Sequence, residues 1–225
     1  MINKIKFIYR NILPNSFRLK FRIIFKYFFY KFRYFRLRFL LKRNKKVKII
    51  LGAALTNQQG WLSTNEEWLD ISDYNDWFRL FRGKPLVKRA LAEHVFEHLS
   101  REQMKTAFKF IYEHLCKEGT LRIAVPDGNH PNETYRKNTG INGIGADASD
   151  HKQFLSYEII ENDLREVGFK CFHMQGFNNK GDLIVKKLPA ELGFIMRSRT
   201  NPNRSSSEIW DFVDSQTSLI VDAYK

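Results

Sequence analysis

The stretch Leu91–Pro131, with the apolar run that leads into it, constrains the fold most, because it places a helical pattern between two apolar runs. The first run, Val87–Ala92, has the length and composition of a strand and ends in the polar pair Glu93 and His94. The second run is Leu121–Val125. Strand, helix and strand in this order predict one βαβ unit. Its parallel strands would place their polar ends at one edge of a sheet, where open α/β sheets bind ligands.

The sequence also predicts where this helix begins and ends. Ser100 followed by Gln103 is a capping-box pattern, in which each side chain bonds the other residue's backbone amide. Phe108 and Ile111 continue at helical spacing. Gly119 lies where the chain must turn before the second strand. These signals predict a helix that begins after Ser100 and ends before Gly119.

The same segment resembles the second half of a class I S-adenosylmethionine-dependent methyltransferase domain. The sequence EHVFEHL is similar to that family's motif after strand 4, and CKEGTLRIAVPD is similar to its turn before strand 5. The resemblance covers residues 47–225 and is closest to predicted bacterial methyltransferases linked to surface-polysaccharide biosynthesis. Three further stretches, AVPDGNHP, GIGADASDHK and SLIVDA, are similar to that group. The resemblance implies a Rossmann-like α/β sheet with an antiparallel last strand, here 217–223.

Charge divides the chain into two parts. Residues 1–48 hold sixteen Lys and Arg and no Asp or Glu, whereas the rest holds 22 basic and 24 acidic residues. The net charge of +14 therefore comes from the N-terminal part. We predict a basic aromatic segment over residues 1–46 and the methyltransferase-like domain over residues 47–225.

Three interpretations of residues 1–46 stay open. Phe and Tyr between Lys and Arg suit a segment that lies on an anionic membrane surface. The same mixture suits a nucleic-acid-binding arm, since aromatic rings stack on bases. The third interpretation is a variable extension that packs on the domain or is poorly ordered. No uncharged apolar stretch is long enough for a transmembrane helix, and charges interrupt any signal-peptide core.

The resemblance assigns the first part of a cofactor site to the end of the run Val47–Ala54. In the family this is strand 1 with a glycine-rich turn, and here the turn reads Gly52, Ala53 and Ala54. Glycine lets the backbone approach a ligand closely. Only the six residues 55–60 separate this run from the next, which is too short for a crossover helix. We therefore predict a truncated first βα unit.

The second part of the predicted cofactor site follows the run Trp61–Asn65, interpreted as strand 2. The family places an acidic residue there to bind the ribose hydroxyls, and the matching position holds Asn65, followed by Glu66. Asp70 and Ile71 match the loop on the adenine side. The resemblance also implies that Glu93 and His94 contribute to binding S-adenosylmethionine at the tip of the fourth family strand.

The polar stretch 127–150 is predicted to be a substrate-side loop without regular structure, given mobility by its glycines. Methyl transfer to an oxygen or nitrogen needs in-line positioning and a base. The candidates for that base are His151, which follows Asp150, and His130. A structural role for either histidine is an equally open alternative.

Two patterns suggest other chemistry and are interpreted as structural. Residues 94–98 match H-x-x-E-H, a zinc-protease signature, but two histidines at this spacing grip zinc only on a helix. Here the motif spans the end of a strand, so we assign no metal and expect Glu97 and His98 to cap or pair locally. Cys116 and Cys171 lie in apolar patterns and are predicted to be buried thiols in a reducing compartment.

The predicted function is methyl transfer from S-adenosylmethionine to an oxygen or nitrogen of a small molecule or glycan, in cell-surface polysaccharide biosynthesis. The predicted location is the cytoplasm, with attachment to the inner face of the cell membrane through residues 1–46. One alternative is a catalytically degenerate scaffold at the membrane, which the altered glycine turn and Asn65 favour. The other is a nucleic-acid methyltransferase guided by the basic segment, against which stands the absence of an Asn/Asp-Pro-Pro-Tyr motif.

Overall fold

A computed structural model describes residues 31–54, 56–145, 148–201 and 217–225. Helix α1 covers 31–42. The other helices are α2 (Tyr74–Phe81), α3 (Arg101–His114), α4 (Glu133–Thr139) and α5 (Tyr157–Val167). The strands are β1 (Val47–Leu51), β2 (Leu62–Ser63), β3 (Val87–Glu93), β4 (Leu115–Val125), β5 (Lys170–Phe177), β6 (Leu183–Val185) and β7 (Leu219–Tyr224). Two 3-10 turns cover Phe96–His98 and Ala190–Leu192.

The strands form one mixed sheet in the order β2-β1-β3-β4-β7-β5-β6. Strands β2, β1, β3 and β4 are parallel to one another, and β7 pairs antiparallel with both β4 and β5. The predicted α/β class and the insertion of an antiparallel last strand are thereby confirmed. Strand β6 extends the sheet as the antiparallel partner of β5.

The predicted βαβ unit is present as β3, α3 and β4. Helix α3 begins at the capping box, in which the Ser100 hydroxyl accepts from the Gln103 amide at 3.2 Å and Gln103 Oε1 accepts from the Ser100 amide at 2.9 Å. Strand β4 starts earlier than predicted, at Leu115. Its register against β3 jumps between Leu115 and Thr120, so the expected turn at Gly119 is a bulge inside the strand.

Two other sequence predictions need correction. The run Trp61–Asn65 contributes only Leu62 and Ser63 as a strand, and the chain turns after Thr64, whose amide still donates to the Ile50 carbonyl at 2.8 Å. The stretch 127–150 is not without regular structure, since helix α4 starts at Asn132, whose side chain accepts from the Tyr135 amide at 2.9 Å.

The glycines of this stretch pack closely instead of leaving open space. A Cβ at Gly143 would collide with the Asn138 carbonyl, and one at Gly145 would lie 2.8 Å from the same oxygen. Their predicted contribution was mobility. Their observed role is to let two turns of backbone approach each other.

Between β1 and β2, the described residues 52–54 and 56–61 form turns and contain no helix. The chain therefore returns from the carboxyl end of β1 to the start of its parallel neighbour β2 by a short connection. The core beneath this edge contains Ile50, Trp61, Leu91 and Ile220. Trp68 and Trp77 are also buried, as expected for packing residues, and both cysteines are buried free thiols.

Strands β4 and β7 are joined by a buried ion pair as well as by backbone bonds. Arg122 lies opposite Asp222 in the ladder, and their side chains form hydrogen bonds of 2.6 and 2.7 Å. The third guanidinium nitrogen donates to the carbonyls of Pro189 and Gly193 at 3.1 and 2.6 Å. This arginine thus fixes the chain that follows β6 against the sheet.

The chain divides into two compact units, Met1–Phe39 and Leu40–Lys225. In the first unit, the structure describes residues 31–39, which belong to α1 and expose Phe32, Phe35 and Phe39. The predicted segment 1–46 lies mostly outside the described residues. In the described ranges, none of the helices combines the length and apolarity needed to span a bilayer.

Candidate functional site

A cavity of about 500 Å³ opens at the carboxyl ends of β1 and β3. These strands are neighbours, and the chain leaves them for opposite sides of the sheet order: β1 leads to β2, whereas β3 leads to β4. Such a switch point is where open α/β sheets bind ligands. Five of the predicted cofactor residues line the cavity: Gly52, Glu66, Asp70, Ile71 and His94.

Gly52 forms the floor of the cavity after β1 and cannot carry a side chain. Its φ is +56°, a conformation that costs other residues free energy. A Cβ at this position would lie 2.7 Å from a methyl group of Val95. The next residue, Ala53, is buried in the core, and Ala54 follows it at a φ of +45°. Neither alanine is part of the cavity wall.

Asn65, a predicted cofactor residue, turns the chain after β2 and is not itself among the residues that line the cavity. Its backbone carbonyl accepts from the amides of Trp68 and Leu69 at 3.2 and 3.0 Å. Its side chain is buried, and Oδ1 has no hydrogen-bond partner among the described residues. A buried acceptor of this kind is costly unless something donates to it. The adjacent Glu66 is exposed on the cavity wall.

Asp70 and Ile71 form the opposite wall. The Asp70 carboxylate accepts from the Ser72 amide and hydroxyl, both at 2.8 Å, so it shapes its own loop. The Ile71 side chain is buried, and its carbonyl accepts from the Trp77 indole at 3.0 Å. The wall therefore combines an apolar surface with a loop that α2 holds in place.

Glu93 is turned away from the cavity. Its two oxygens accept from the backbone amides of Arg197 and Met196, at 2.8 and 3.2 Å. It therefore holds the segment after the second 3-10 turn against the tip of β3. It is not among the residues that line the cavity.

His94 follows at a φ of +56° and lines the cavity. Its Nε2 lies 3.0 Å from the Ser218 hydroxyl, and its Nδ1 lies 3.0 Å from Arg197 Nη1. The same Nδ1 lies 2.9 Å from Glu97 Oε1.

Glu97 pairs locally with His94, as expected, and its carboxyl group is fully buried in the 3-10 turn after β3. Burial raises the pKa of Glu97 to about 7, although its own backbone and the neighbouring His98, His151 and Arg197 lower it. In the described ranges neither carboxyl oxygen accepts a hydrogen bond of good geometry. This is the most perturbed carboxyl group beside the cavity.

His98 and His151 complete a cluster with Glu97. One ligand atom from each of the three residues lies within 4.8 Å of the other two. The rings of His98 and His151 meet edge to face, with centroids 4.8 Å apart. His98 reaches the cavity wall beside Asp150, whose Oδ2 lies 3.1 Å from its Nδ1. The cluster therefore borders the cavity through His98, with His151 buried behind it.

His130 lies elsewhere. Its ring stacks on Tyr135 with centroids 4.0 Å apart, meets Phe177 edge to face, and accepts from the Asn132 amide at 3.2 Å. It is buried and is not among the cavity residues. The structure thus places His151, one of the two predicted bases, near the predicted cofactor residues. The residue between them is His98, which was expected only to cap or pair locally.

No family model matches the sequence, and no curated protein matches it. Solved structures do. A SAM-dependent methyltransferase from Archaeoglobus fulgidus is 11% identical with a TM-score of 0.46, covering 86% of this chain and 94% of that chain. One from Mesorhizobium loti is 13% identical with a TM-score of 0.46, covering 84% and 96%.

A SAM-dependent methyltransferase from Thermotoga maritima, described as a possible histamine N-methyltransferase, is 15% identical with a TM-score of 0.43, covering 90% of this chain and 98% of that chain. These likenesses are too distant to assign an activity. The chemistry therefore rests on the chain's own residues.

Proposed function

We propose that the chain is a methyltransferase that binds S-adenosylmethionine in the cavity between the tips of β1 and β3. The observation that carries this proposal is the meeting of three strand-end segments, 52, 66–72 and 94–95, around one cavity at the switch point of the sheet. Its volume of about 500 Å³ falls within the range of small-molecule sites. When bound, the cofactor supplies an electrophilic methyl group on a sulfonium.

The residues present fit such a cofactor at two points. Gly52 lets Val95 pack against the backbone after β1 and leaves that backbone without a side chain at the cavity wall, where a ligand can approach it. Asn65 offers a buried oxygen without a partner in the described residues, which a ribose hydroxyl can satisfy. Glu66 would add a second acceptor, and Asp70 with Ile71 would hold the adenine side. Glu93 acts in this arrangement by fixing the segment beside His94.

Proton removal from the acceptor is assigned to the cavity end at which His98 and His151 lie. The Nδ1–H of His151 donates to the Thr139 carbonyl at 2.8 Å, which fixes the ring and, in a neutral imidazole, makes Nε2 the acceptor atom. An acceptor that enters beside His98 would lie close to two imidazoles, the side chains that most often serve as general bases. His130, in the loop before α4, remains the second candidate for the base.

The proposed acceptor is a hydroxyl or amine of a small molecule or glycan, as in cell-surface polysaccharide biosynthesis. The cavity wall beside His98 supports a polyhydroxylated ligand, because Gln103, Asp150 and Lys152 offer both donors and acceptors.

Cofactor binding by the full chain tests the proposal. Calorimetric titration with S-adenosylmethionine and with its demethylated product should show one saturable site. Asn65→Ala should weaken binding by about 1–3 kcal/mol, the cost of losing a buried hydrogen bond. Asn178→Ala, in an exposed turn after β5, is the matched control and should bind like wild type. Absence of binding at millimolar cofactor would favour the degenerate scaffold.

A second proposal concerns residues 1–46, which would hold the protein on an anionic membrane at the cytoplasmic face. In the described part of the segment, α1 exposes Phe32, Phe35 and Phe39, with more than half of each side chain accessible. Rings at this spacing beside Arg36 and Arg38 suit the headgroup boundary, where each cation contributes about 1 kcal/mol.

Sedimentation with vesicles distinguishes a membrane from nucleic acid as the partner of this segment. The full chain should pellet with phosphatidylserine vesicles and stay in solution with phosphatidylcholine vesicles. Excess RNA should not release it. Release by RNA, or equal pelleting with both lipids, would reject the membrane and favour a nucleic-acid substrate or a neutral extension.

A further inference from the structure

The cluster of Glu97, His98 and His151 has the composition of a metal site. The proposed function uses its two histidines for proton removal and gives Glu97 no role. Glu97 and His98 belong to the 3-10 turn after β3, and His151 lies 53 positions after His98. The Glu97 carbonyl accepts from the amides of Lys152 and Gln153 at 2.8 and 3.2 Å. These backbone bonds fasten the two segments together, so the cluster is built into the fold.

His151 is prepared as a ligand. Its Nδ1–H donates to the Thr139 carbonyl at 2.8 Å, and the residue is buried. Because a carbonyl only accepts, the proton lies on Nδ1 and the lone pair of Nε2 is free to bind an electrophile. A backbone carbonyl in this position is the usual outer partner of a metal-binding histidine.

Glu97 is the unexplained member. A fully buried carboxyl group with no acceptable hydrogen bond from the described residues is costly. His94 Nδ1 lies 2.9 Å from Oε1 as an ion-pair contact, without the geometry of a hydrogen bond. This buried carboxyl group therefore keeps acceptor capacity that a cation can use.

We propose that Glu97, His98 and His151 bind one divalent transition-metal ion of the zinc type. Two imidazoles and one carboxylate form a three-ligand set that leaves a coordination position open. Bonds of about 2.1 Å in tetrahedral geometry place ligand atoms about 3.4 Å apart. The cluster, with its atoms within 4.8 Å, reaches that spacing by small side-chain rotations.

The surroundings suit an ion. Asp150 lies 3.1 Å from His98 through its Oδ2 and would orient that ring as an outer carboxylate. His98 and Asp150 both line the cavity, so the open position lies on the cavity side. An acceptor hydroxyl bound there would have its pKa lowered by the ion. This catalytic consequence rests on the proposed methyl transfer, whereas the metal site itself does not.

Metal binding without cofactor tests the site. The full chain, stripped with a chelator, should bind Zn²⁺ with one-to-one stoichiometry in calorimetry. Co²⁺ should give the visible absorption of a low-coordinate His/carboxylate site. Glu97→Gln, which keeps the shape of the side chain, and His151→Gln should each weaken Zn²⁺ binding by at least ~10-fold.

The matched control is His173→Gln, a buried histidine on β5 outside the cluster, which should retain wild-type affinity. Circular dichroism establishes that each variant is folded. Folded wild-type protein that binds neither ion stoichiometrically would overturn the proposal, as would Glu97→Gln with unchanged affinity. Because no cofactor is added, these results are independent of whether S-adenosylmethionine binds.

Discussion

Arg122 and Asp222 lie opposite each other on β4 and β7 and form two hydrogen bonds, of 2.6 and 2.7 Å, with both side chains fully buried. The pair occupies the middle of the sheet, where charges are costly unless each has its partner. It also determines the path of the chain towards the cavity, because the same guanidinium holds Gly193.

The first prediction concerns this pair. Asp222→Ala leaves the Arg122 charge buried without its carboxylate, and we expect the free energy of unfolding to fall by about 3–5 kcal/mol. Urea denaturation followed by circular dichroism measures it. Arg165→Ala removes an exposed ion pair with Glu161 on α5 and should lower the free energy of unfolding far less, because water and salt screen exposed pairs. Equal effects of the two substitutions would contradict the assigned role.

Two glycines at positive φ provide a matched comparison. Gly52→Ala brings a Cβ against Val95 and strains the backbone, whereas Gly60→Ala, at a φ of +79°, meets no atom within 4 Å. Backbone strain alone costs about 1–2 kcal/mol. We therefore expect thermal unfolding to show a larger loss for Gly52→Ala.

Val95→Ala in the same chain should recover part of the loss at Gly52, since it removes the methyl groups that collide. An identical loss of thermal stability in the two glycine variants would show that the contact with Val95 does not contribute to it.

The pH dependence of stability should carry the signature of Asp127. Burial raises the pKa of Asp127 from 3.8 to about 6, against the bonds from the amides of Phe177 and Asn129. The folded state holds the proton more tightly, so this contribution to stability is complete below pH 4. It is lost as the pH rises towards 6. The difference amounts to about 3 kcal/mol.

Asp127→Asn should remove this fall, and the comparison of denaturation midpoints across that pH window measures it. Glu133→Gln, on the exposed start of α4, is the control and should leave the profile unchanged. A wild-type profile in Asp127→Asn would show that another group is responsible.

The two histidines proposed as the base should behave differently. His151→Ala should lower turnover about 10²–10⁴-fold while cofactor affinity stays, whether the residue takes the proton or holds an ion that lowers the pKa of the acceptor hydroxyl. His130→Ala should chiefly lower the melting temperature, because its ring stacks on Tyr135. Methyl transfer from labelled cofactor to a panel of sugars and amines is the assay. A larger loss of turnover in His130→Ala would reverse the assignment.

The sequence was sufficient for those parts of the fold that local signals specify. The capping box at Ser100 and the apolar spacing of α3 depend on neighbours within one turn, so they could be recognised without tertiary knowledge. The short helix α4 was missed because Tyr135 and Thr139 are its only buried residues, too few to give a periodic pattern.

The candidate site was predictable in part. Gly52, Asn65 and Asp70 follow strands, and parallel strands bring their ends together. The partnership of Glu97 with His151 depends on how the loop after α4 folds back, which no spacing records. The signals available in the sequence were the Asp150–His151 pair and the closely spaced glutamates and histidines of EHVFEHL. No sequence signal indicated that Glu93 would accept hydrogen bonds from the amides of Met196 and Arg197, because every residue type except proline carries the same backbone donor.

The place of β7 has a consequence for synthesis on the ribosome. This strand lies between β4 and β5, yet it is translated after every strand that it joins. Until residues 219–224 leave the exit tunnel, the nascent sheet consists of two separate pieces with unpaired edges, which invite pairing with other chains. We expect the emerging polypeptide to depend on chaperones that cover such edges, and its sheet to close as a late event.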